Sequence, residues 1–288
     1  MDNRKIIHQE IVLKLCDLLR YIETQLAKDW SVDNINDYLS IVALAKRMNM
    51  SVRSLTSYFK LYSGESLGKY IASRRAEYAA RVFRLFPRIS TAEVSRLNGF
   101  FNPPALYLFL KKYGVYKPSD LRKPTQLNIH LEFRKEIHET SYMVFKLRHG
   151  QYNDCNSIEF EENNWQLIEN SISDATPSSY VGIAIDNYLE DDENSGAFMA
   201  GVIYDHKIVK VPKEFGVRII NRGQYAVFTH KGSYSLLSEF YNSVIAFLQN
   251  TTELDVELGM PIFEKYLNSP TDTPAEELIT ELWIPIKQ

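Results

Sequence analysis

The sequence predicts a multidomain protein, in which an all-α domain with two helix-turn-helix units precedes an α+β domain built from a duplicated strand–helix–strand–strand unit. Three observations lead to this prediction. Apolar residues recur at helical spacing in the first part of the chain and alternate, as in strands, in the second. The formal charge also changes sign: residues 1–125 hold 21 Lys and Arg against 11 Asp and Glu, and residues 126–288 hold 12 against 25. The second half, finally, contains an internal repeat.

The net charges of the two parts, +10 and −13, predict different partners for two domains, which we place at residues 1–123 and 124–288. Double-stranded DNA suits the basic domain, because each Lys or Arg near a phosphate releases condensed counterions. A cationic or amphipathic small-molecule effector suits the acidic, aromatic-rich domain. The alternative is that the charge asymmetry only aids solubility.

The bulk features exclude several classes of protein. The N-terminal segment MDNRKIIHQE lacks the apolar core of a signal peptide, and no stretch approaches the roughly 18 apolar residues of a membrane span. We therefore expect a cytoplasmic protein without a membrane partner. Cys16 and Cys155 fall in different domains and do not predict a structural disulfide. The six histidines show no metal-ligand spacing, so we expect neither a metal nor another cofactor.

The first helix-turn-helix unit follows a helix that the apolar spacing predicts over residues 6–28. A short helix at Ile41–Met48 leads to Ser51, an N-cap residue, and to a second helix at Val52–Tyr62. Gly64 ends that helix, because glycine readily adopts the left-handed C′ conformation. The exposed face of the second helix offers candidate DNA-binding residues, namely Arg53, Ser54, Ser57 and Lys60.

The second unit repeats this arrangement about fifty residues later. Thr91–Leu97 is a short helix, Asn98-Gly99 makes the turn, and Asn102 caps a helix that begins at Pro103. A long amphipathic helix at Leu67–Phe86 lies between the units and is predicted to act as a rigid spacer.

The stretches SVRSLTSYFKLYSGESLGKYIASRRAEYAA and ISTAEVSRLNGFFNPPALYLFLKKYGVYKPSDLR resemble the DNA-binding domain of AraC/XylS-type transcription regulators. The resemblance covers roughly residues 15–123 and implies two recognition helices in successive major grooves. The matching positions are Ser51, Leu55, Phe59, Gly64, Tyr70, Arg75 and Ala79, then Gly99, Phe100, Leu110, Lys111, Gly114, Pro118 and Arg122.

The second recognition helix departs from that family, since it carries Pro103, Pro104, Ala105, Tyr107 and Leu108 where polar and basic residues are usual. A helix with few hydrogen-bond donors reads few base edges. We therefore expect the first helix to make most direct readout, although Ser57 stands where an Arg is common. The second helix either contacts the DNA backbone, through Tyr107, Lys111 or Lys112, or has lost DNA contact. Alternatively, Arg53 and Lys60 do not bind DNA and simply belong to a solvated helix face.

The acidic half predicts an α+β domain of mostly antiparallel strands. A first strand is expected within residues 123–131, and the later strands and helices follow alternating and helical patterns. MVFKLRHGQYND at 143–154 matches AVFTHKGSYSLL at 226–237, so two equivalent units are expected to meet at a pseudo-twofold axis with a ligand groove. The predicted strands are Tyr142–Leu147, Tyr180–Ile185, Phe198–Tyr204, Tyr225–His230, Pro261–Leu267 and Glu281–Ile286, and the helices are Ser157–Asn170 and Ser235–Gln249.

The segments VFKLRHGQY, YAVFTHKGSY, GMPIFEKYL and ELWIPIK resemble the GyrI-like effector-binding domain, of the kind found in multidrug-binding regulators of the Rob and BmrR type. The match covers about residues 129–288. The resemblance implies that Glu264 lies at the base of an aromatic pocket that faces cationic ligands. It also implies an acidic–aromatic pair at Glu281 and Trp283. Within a strand, residues two apart share a face, so each of Glu264 with Tyr266 and Glu281 with Trp283 can point into a groove.

A carboxylate at the base of an aromatic cavity suits a lipophilic cation, because each ring face contributes roughly 0.5–2 kcal/mol through cation–π contact. The candidate walls are Trp165, Tyr152, Tyr180, Tyr188, Tyr234 and Trp283. Alternatively, these aromatic residues are ordinary core residues. Glu264, in turn, could be a surface carboxylate or one paired with a lysine. Glu190-Asp191-Asp192-Glu193-Asn194-Ser195 is most simply a solvated loop between strands.

Three functions remain open on this sequence. The first is a transcription regulator that is not an enzyme, reads DNA with its N-terminal domain and senses an effector with its C-terminal domain. The second is a GyrI-like hydrolase in which Glu264 acts as a general base. The third is a protein-binding module whose acidic half docks on a partner such as gyrase or RNA polymerase. The fused DNA-binding domain favours the first function, the transcription regulator.

Overall fold

A computed structural model describes residues 9–26, 28, 34–112, 119, 122, 131–149, 158–172, 175–185, 197–206, 208, 211, 212 and 214–287. Its first part is helical and its second part is an antiparallel sheet with two helices, which confirms the predicted fold class. Helices α1 to α7 are Gln9–Leu26, Ile35–Leu39, Ile41–Arg47, Val52–Ser63, Leu67–Leu85, Thr91–Leu97 and Pro103–Lys112. The second part contains β1 (Arg134–His138), β2 (Ser141–His149), α8 (Ile158–Ser171), β3 (Ser179–Ile185), β4 (Ala197–Tyr204), β5 (Gly216–Ile220), β6 (Gly223–Lys231), α9 (Leu237–Asn250), β7 (Phe263–Tyr266) and β8 (Ile279–Ile286).

The two helix-turn-helix units, α3–α4 and α6–α7, use the same turn. Each turn contains one residue with positive φ, 51° at Asn49 and 66° at Gly99, a conformation that Asn and Gly tolerate. The N–H of the next residue donates to the carbonyl five residues earlier, at 3.0 Å in the first unit and 2.8 Å in the second. The predicted turn at Asn98-Gly99 is thereby confirmed.

The predicted N-caps of both recognition helices are present. Ser51 Oγ accepts a hydrogen bond from Ser54 N at 3.0 Å, and Asn102 Oδ1 accepts one from Ala105 N at 2.9 Å. Each cap satisfies a backbone donor that the first turn of a helix leaves without an intrahelical partner. The second turn is one residue longer than the first, and the additional residue is Phe101.

Helix α5 joins the two units, as predicted for the spacer helix. Its Arg75 stacks over the rings of Phe100 and Phe109, with the guanidinium carbon 4.4 and 5.3 Å from the ring centroids. Arg75 Nη2 also donates to the carbonyl of Asn98 at 2.7 Å. The second turn is therefore fixed to α5 by both cation–π contact and a hydrogen bond.

The strands form one antiparallel sheet in the order β1-β6-β8-β7-β3-β4-β2-β5. The order is symmetric about the β7–β3 pair, as a duplicated strand–helix–strand–strand unit requires. Only residues 139–140 link β1 to β2, and only 221–222 link β5 to β6, although these strands lie at opposite ends of the order. The sheet must therefore curl until its two ends approach each other.

Two strands differ from the prediction. The first strand was expected within residues 123–131, all of which except Leu131 lie outside the described residues, and the first strand observed is β1. Strand β5 was not predicted, because its buried Arg218 interrupts the apolar pattern. The predicted boundary between residues 123 and 124 also lies outside the described residues and stays a prediction.

Helix α5 joins the two domains through buried charges. Arg218 of β5 is 2% exposed and its Nη2 donates to Glu77 Oε1 of α5 at 3.1 Å. Glu77 also pairs with Arg81 at 2.7 Å and with Arg74 at 3.3 Å. On the other side of Arg218, Glu23 of α1 lies at 4.0 Å and accepts a hydrogen bond from the Tyr70 hydroxyl. We call these residues, Glu23, Tyr70, Arg74, Glu77, Arg81 and Arg218, the interdomain ion network.

The charge state of Glu77 depends on its arginine partners. Burial alone would raise the pKa of its carboxyl group, but the charges of Arg218, Arg74 and Arg81 outweigh burial and lower the pKa to about 2. Burial likewise disfavours the charge of Arg218, yet Glu77 and Glu23 raise the pKa of its guanidinium. Glu77 and Arg218 are therefore both charged at neutral pH.

Backbone contacts reinforce this interface. Arg81 Nη1 donates to the carbonyls of Leu258 and Met260, and Gln249 of α9 donates to the carbonyl of Arg84 at 2.7 Å. At the end of α4, Gly64 has φ of 79°, which confirms its role as the C′ residue. A Cβ there would also lie 2.7 Å from the carbonyl oxygen of Phe215, so only glycine permits this close approach to the β5 segment.

We expect Glu77→Gln to lower the free energy of unfolding at pH 7 by about 3–5 kcal/mol, because it leaves buried guanidinium groups without their counter-charge. Glu139→Gln is the matched control, since Glu139 pairs with Arg222 at an exposed site, and its effect should stay below about 1 kcal/mol. Urea denaturation measures both.

The pH dependence provides a second check on the same variant. The pKa of Glu77 is depressed in the folded protein, so its contribution is complete above the unfolded value of about 4.5 and is lost as pH falls toward 2. The stability difference between wild type and Glu77→Gln should shrink over that window. Equal stability of the two proteins at pH 7 would exclude the network as a source of interdomain stability.

Candidate functional site

The sheet presents two faces that carry different side chains. Helices α8 and α9 cover one of them, which we call the helix face, and its residues belong to a core that continues into α1, α4 and α5. The opposite face carries a separate cluster that includes Met143, Ile183, Tyr225, Phe263 and Trp283.

Glu264 lies on the helix face, beside the β7–β3 pair that forms the symmetry axis of the sheet. Its side chain is 1% exposed, and its Oε2 accepts a hydrogen bond from the hydroxyl of Tyr266, two residues along β7. Tyr266 is directly opposite Tyr180 of β3, and Glu264 is opposite Gly182. The absence of a side chain at Gly182 leaves room for the Tyr266 hydroxyl, which a Cβ would meet at 2.8 Å.

Aromatic rings from both halves of the sheet domain form a cluster with Tyr266, the hydrogen-bond partner of this carboxylate. Trp165 of α8 lies 5.0 Å, centroid to centroid, from both Tyr180 and Tyr266, and Tyr234 lies 5.1 Å from Tyr266. The structure thus brings together five predicted ligand-binding residues. We call Glu264, Tyr266, Trp165, Tyr180 and Tyr234 the aromatic–acidic cluster.

The sequence did not reveal a second carboxylate beside the cluster. Glu169 of α8 accepts a hydrogen bond from the Tyr180 hydroxyl at 2.5 Å. Burial, and then this hydrogen bond, raise the pKa of Tyr180 to about 12, so its hydroxyl remains a donor at neutral pH. Glu169 follows Trp165 by four residues on a helix, a spacing that places both on one side, but no motif distinguishes it from other surface glutamates.

The rings of the cluster are in mutual contact. A cavity of about 30 Å³ lies nearby between α5 and α9, and it suits a water molecule rather than a drug-sized ligand. Its lining includes Ala184 and Ile262, which lie two residues from Gly182 and Glu264 along their strands and so share the helix face. From α5 the lining includes Arg84 and Leu85.

Glu281 and Trp283 occupy the opposite face and cannot line a groove together with Glu264. The register places Glu264 opposite Leu282 and Lys265 opposite Glu281. Glu281 Oε1 instead pairs with Arg134 of β1 at 2.6 Å, and Trp283 Nε1 donates to Glu281 Oε2 at 3.0 Å. As expected for adjacent strand residues, Lys265 points away from Glu264 and lies 5.4 Å from the Trp283 ring.

The predicted walls Tyr152 and Tyr188 lie outside the described residues, as does the acidic loop at 190–195.

The predicted DNA-binding residues lie mostly on exposed helix faces. In α4, Arg53, Ser57 and Lys60 are exposed, whereas Ser54 is half-buried and accepts a hydrogen bond from the Ser51 hydroxyl at 2.8 Å. In α7, Tyr107, Lys111 and Lys112 are exposed. The interdomain interface covers neither set, so the docking of the two domains leaves both recognition helices accessible.

Comparison with known proteins identifies the family of each part of the chain. The model of the GyrI-like small molecule binding domain family matches residues 135–287, more than half of the chain. The chain belongs to the GyrI-like family. A helix-turn-helix domain model of the AraC type matches residues 44–124. The GyrI-like domain is thus fused to an AraC-type DNA-binding domain, and the protein is a transcription regulator that senses an effector.

Individual relatives cover parts of the chain. The multiple antibiotic resistance protein MarA of Salmonella typhimurium is 27% identical over 128 residues, which are 43% of this chain and 88% of that protein. The EcmrR C-terminal domain is 14% identical, with a TM-score of 0.42, over 56% of this chain and 99% of that one. EcmrR in a DNA complex is 14% identical, with a TM-score of 0.43, over 86% of this chain and 99% of that one.

Two further features concern the part of the chain that the structure describes. No helix in it combines the length and the apolar character needed to cross a membrane. The same residues contain no cluster of three or more His, Cys, Asp or Glu side chains that could hold a metal ion.

The opposite face of the GyrI-like domain contains a histidine that the sequence did not single out. His138 of β1 packs against Tyr225, Phe263 and Trp283, with ring centroids 5.2 to 5.9 Å away, and its Nε2 lies 2.8 Å from Ser141 Oγ. Burial, and then the charge of Lys265, lower the pKa of His138 to about 4. The folded protein therefore holds this imidazole neutral.

We expect His138 to make the protein less stable as pH falls from about 6.5 to 4. In that window the unfolded chain binds a proton at His138 and the folded protein does not, so acid favours unfolding. His138→Gln keeps a polar group near Ser141 and removes the titration. Urea denaturation from pH 7 to 4 measures the free energy of unfolding of both proteins. The free energy of unfolding of wild type should fall relative to that of the variant as the pH is lowered. A difference that is constant with pH would contradict this assignment.

Proposed function

We propose that the effector is a lipophilic cation and that it binds on the helix face of the GyrI-like domain, at the aromatic–acidic cluster. The observation that carries this proposal is a buried carboxylate, Glu264, hydrogen-bonded to Tyr266 in a cluster of four aromatic residues from different elements. A buried carboxylate is costly unless it is paired or hydrogen-bonded. A cation between the rings would offset that cost, and Glu169 would add a second negative charge on the α8 side.

Binding requires the cluster to open, because its rings touch one another. A ligand entering between α8 and α9 would part Trp165 from Tyr266 and Tyr180. Trp165 supports a ligand site at this position, since its Nε1 is buried and has no hydrogen-bond partner among the described residues. Trp165 thereby takes the stacking role that the sequence suggested for Trp283.

The effector signal would reach DNA through α5. Ala184 and Ile262 extend the Glu264 row of the helix face to the small cavity, and Arg84 and Leu85 of α5 close that cavity. A ligand that widens the cluster therefore presses toward the end of α5. Because α5 separates the two helix-turn-helix units, its movement relative to the sheet would change how the recognition helices match successive major grooves.

DNA recognition would rest on α4 for hydrogen-bonded readout of bases. Arg53 is an exposed basic residue of its first turn, and a bidentate Arg–guanine contact is the commonest specific contact in the major groove. Lys60 and, in α7, Tyr107, Lys111 and Lys112 would contact phosphates. Contact with RNA polymerase and a cytoplasmic location stay predictions.

The hydrolase alternative would use Glu264 as a general base. The base would have to accept a proton from a water molecule in the cluster, but the Tyr266 hydroxyl already donates to Glu264 Oε2. The DNA-binding domain and this hydrogen bond both favour a sensor over a hydrolase.

We expect Arg53→Ala to weaken binding to a duplex selected by the full chain by on the order of 1–3 kcal/mol, and to relax the sequence preference beneath α4. Lys60→Ala is the matched control on the same helix, and it should weaken binding to all duplexes about equally and reduce the salt dependence. Fluorescence anisotropy at several salt concentrations measures both effects. If wild type and Arg53→Ala bind every duplex alike, Arg53 does not read a base.

We expect Glu264→Gln to lower the affinity for a quaternary ammonium compound at least about tenfold, while the uncharged carbon isostere binds as before. Only the charged compound gains from the carboxylate, since the amide keeps the shape of the side chain. Glu276→Gln, at an exposed position of the same domain, removes the same charge and is the control. Isothermal titration calorimetry with the full chain compares the two compounds.

The same variant separates the alternatives. Unchanged cation affinity in Glu264→Gln would remove Glu264 from the effector site. Loss of turnover of an ester substrate in this variant, where wild type shows turnover, would favour the hydrolase.

A further inference from the structure

The recognition helices α4 and α7 can be compared residue by residue, because each begins at an N-cap residue, Ser51 in α4 and Asn102 in α7, whose side chain accepts from the backbone N–H three residues later. Counting from the caps, α7 carries Pro104 where α4 has Arg53, and Leu108 where α4 has Ser57. Lys60 of α4 corresponds to Lys111 of α7. The basic residue at the end of the helix is therefore retained, while the positions suited to base contact have become apolar.

These apolar side chains are unusually open to solvent. Leu108 is 66% exposed, and Phe101, the additional residue of the second turn, is 99% exposed. Tyr107 and Pro104 are exposed on the same side. Meanwhile Leu106 and Leu110, on the inner side of α7, are fully buried against α5 and α6. Folding thus buries one side of α7 and leaves apolar residues exposed on the other side, where the spacing of Pro104, Tyr107 and Leu108 places them together. We call these three residues and Phe101 the α7 apolar surface.

The position of this surface indicates what covers it. Exposed apolar patches bordered by polar residues are typical of interaction sites. Lys111 and Lys112 border the α7 apolar surface at the next turn of the helix and favour a negatively charged partner. The surface also occupies the place that the base-reading residues occupy in α4. Both observations point to the major groove of DNA, where the C5-methyl group of thymine is the apolar feature that a base pair displays.

We infer that α7 reads thymine methyl groups in the second major groove by apolar contact, with Leu108 as the principal specificity residue. This inference rests on the proposed docking of both helix-turn-helix units on one duplex. A helix without donors at these positions was expected to read few bases, and that expectation considers only hydrogen bonds. Apolar side chains distinguish thymine from the other bases without them.

The test removes only the methyl groups. A duplex selected by the full chain from a random pool is footprinted to locate the segment beneath each unit. Thymines are then replaced by deoxyuridine in one segment at a time, which preserves every hydrogen-bonding group of the base pair. We expect the affinity to fall about fourfold for each contacted methyl beneath α7, the change that corresponds to about 0.8 kcal/mol.

Protein variants identify the residue that contacts the thymine methyl groups. Leu108→Ala should lose most of the deoxyuridine penalty beneath α7, and the exposure of Leu108 means that this substitution leaves the fold intact. Ser57→Ala, at the equivalent position of α4, should keep that penalty and is the matched control. A penalty of equal size in Leu108→Ala and wild type would overturn the role of Leu108.

Other outcomes distinguish this inference from the proposed function. If deoxyuridine beneath α7 costs nothing, or α7 leaves no footprint, while Arg53→Ala still weakens binding, the methyl readout is wrong and DNA binding through α4 stands. The α7 apolar surface would then be a protein-binding surface. If the full chain selects no duplex at all, both the proposed DNA readout and this inference fail.

Discussion

The interdomain ion network is the interaction on which the arrangement of the molecule depends. Two carboxylates, Glu23 and Glu77, and three guanidinium groups meet in the interface between α1, α5 and β5. Buried charges tolerate little displacement, because each loses its compensation when a partner moves away. A purely apolar interface would permit sliding, whereas this network specifies one orientation of the GyrI-like domain on the DNA-binding domain. Both recognition helices remain accessible in that orientation, and the polar side of α5 contacts the sheet.

Local signals in the sequence predict the helical domain well. The caps at Ser51 and Asn102, the turn at Gly99 and the helix end at Gly64 depend on contacts within about five residues, so the amino acids that form them lie side by side in the sequence. Strand β5 and the network could not be predicted in this way. Arg218 has the properties of a surface residue, and only partners some 140 to 200 positions away make its burial tolerable. The sequence predicted α5 as a spacer, and nothing local indicates that Glu77 is an interface residue.

The composition of the candidate site was predictable, but its geometry was not. Period-two alternation correctly assigns Glu264 and Tyr266 to one face and Glu281 and Trp283 to one face. Whether those faces coincide depends on the register between β7 and β8, and a shift of one residue exchanges the faces. The observed register separates the two pairs. Glu169 was not predicted for a related reason. Its hydrogen bond with Tyr180 depends on how α8 packs on the sheet, which the sequence does not reveal.

The closed state of the aromatic–acidic cluster bears directly on how effector binding can control DNA binding. A ligand shifts an equilibrium only by the difference between its affinities for the two states. If the contacts of Trp165 with Tyr180 and Tyr266 must separate before a cation enters, the closed state binds the cation negligibly, and that difference is large. The apparent affinity for the effector is then reduced by the fraction of molecules that are closed. Helix α5 lines the small cavity together with Ala184 and Ile262, the neighbours of the cluster along β3 and before β7, and it also bears the ion network. In the proposed mechanism, a cation that binds only the open cluster would favour whichever position of α5 the open cluster favours. An effector site with a preformed open cavity would bind more tightly but would transmit less, because it would bind both states alike.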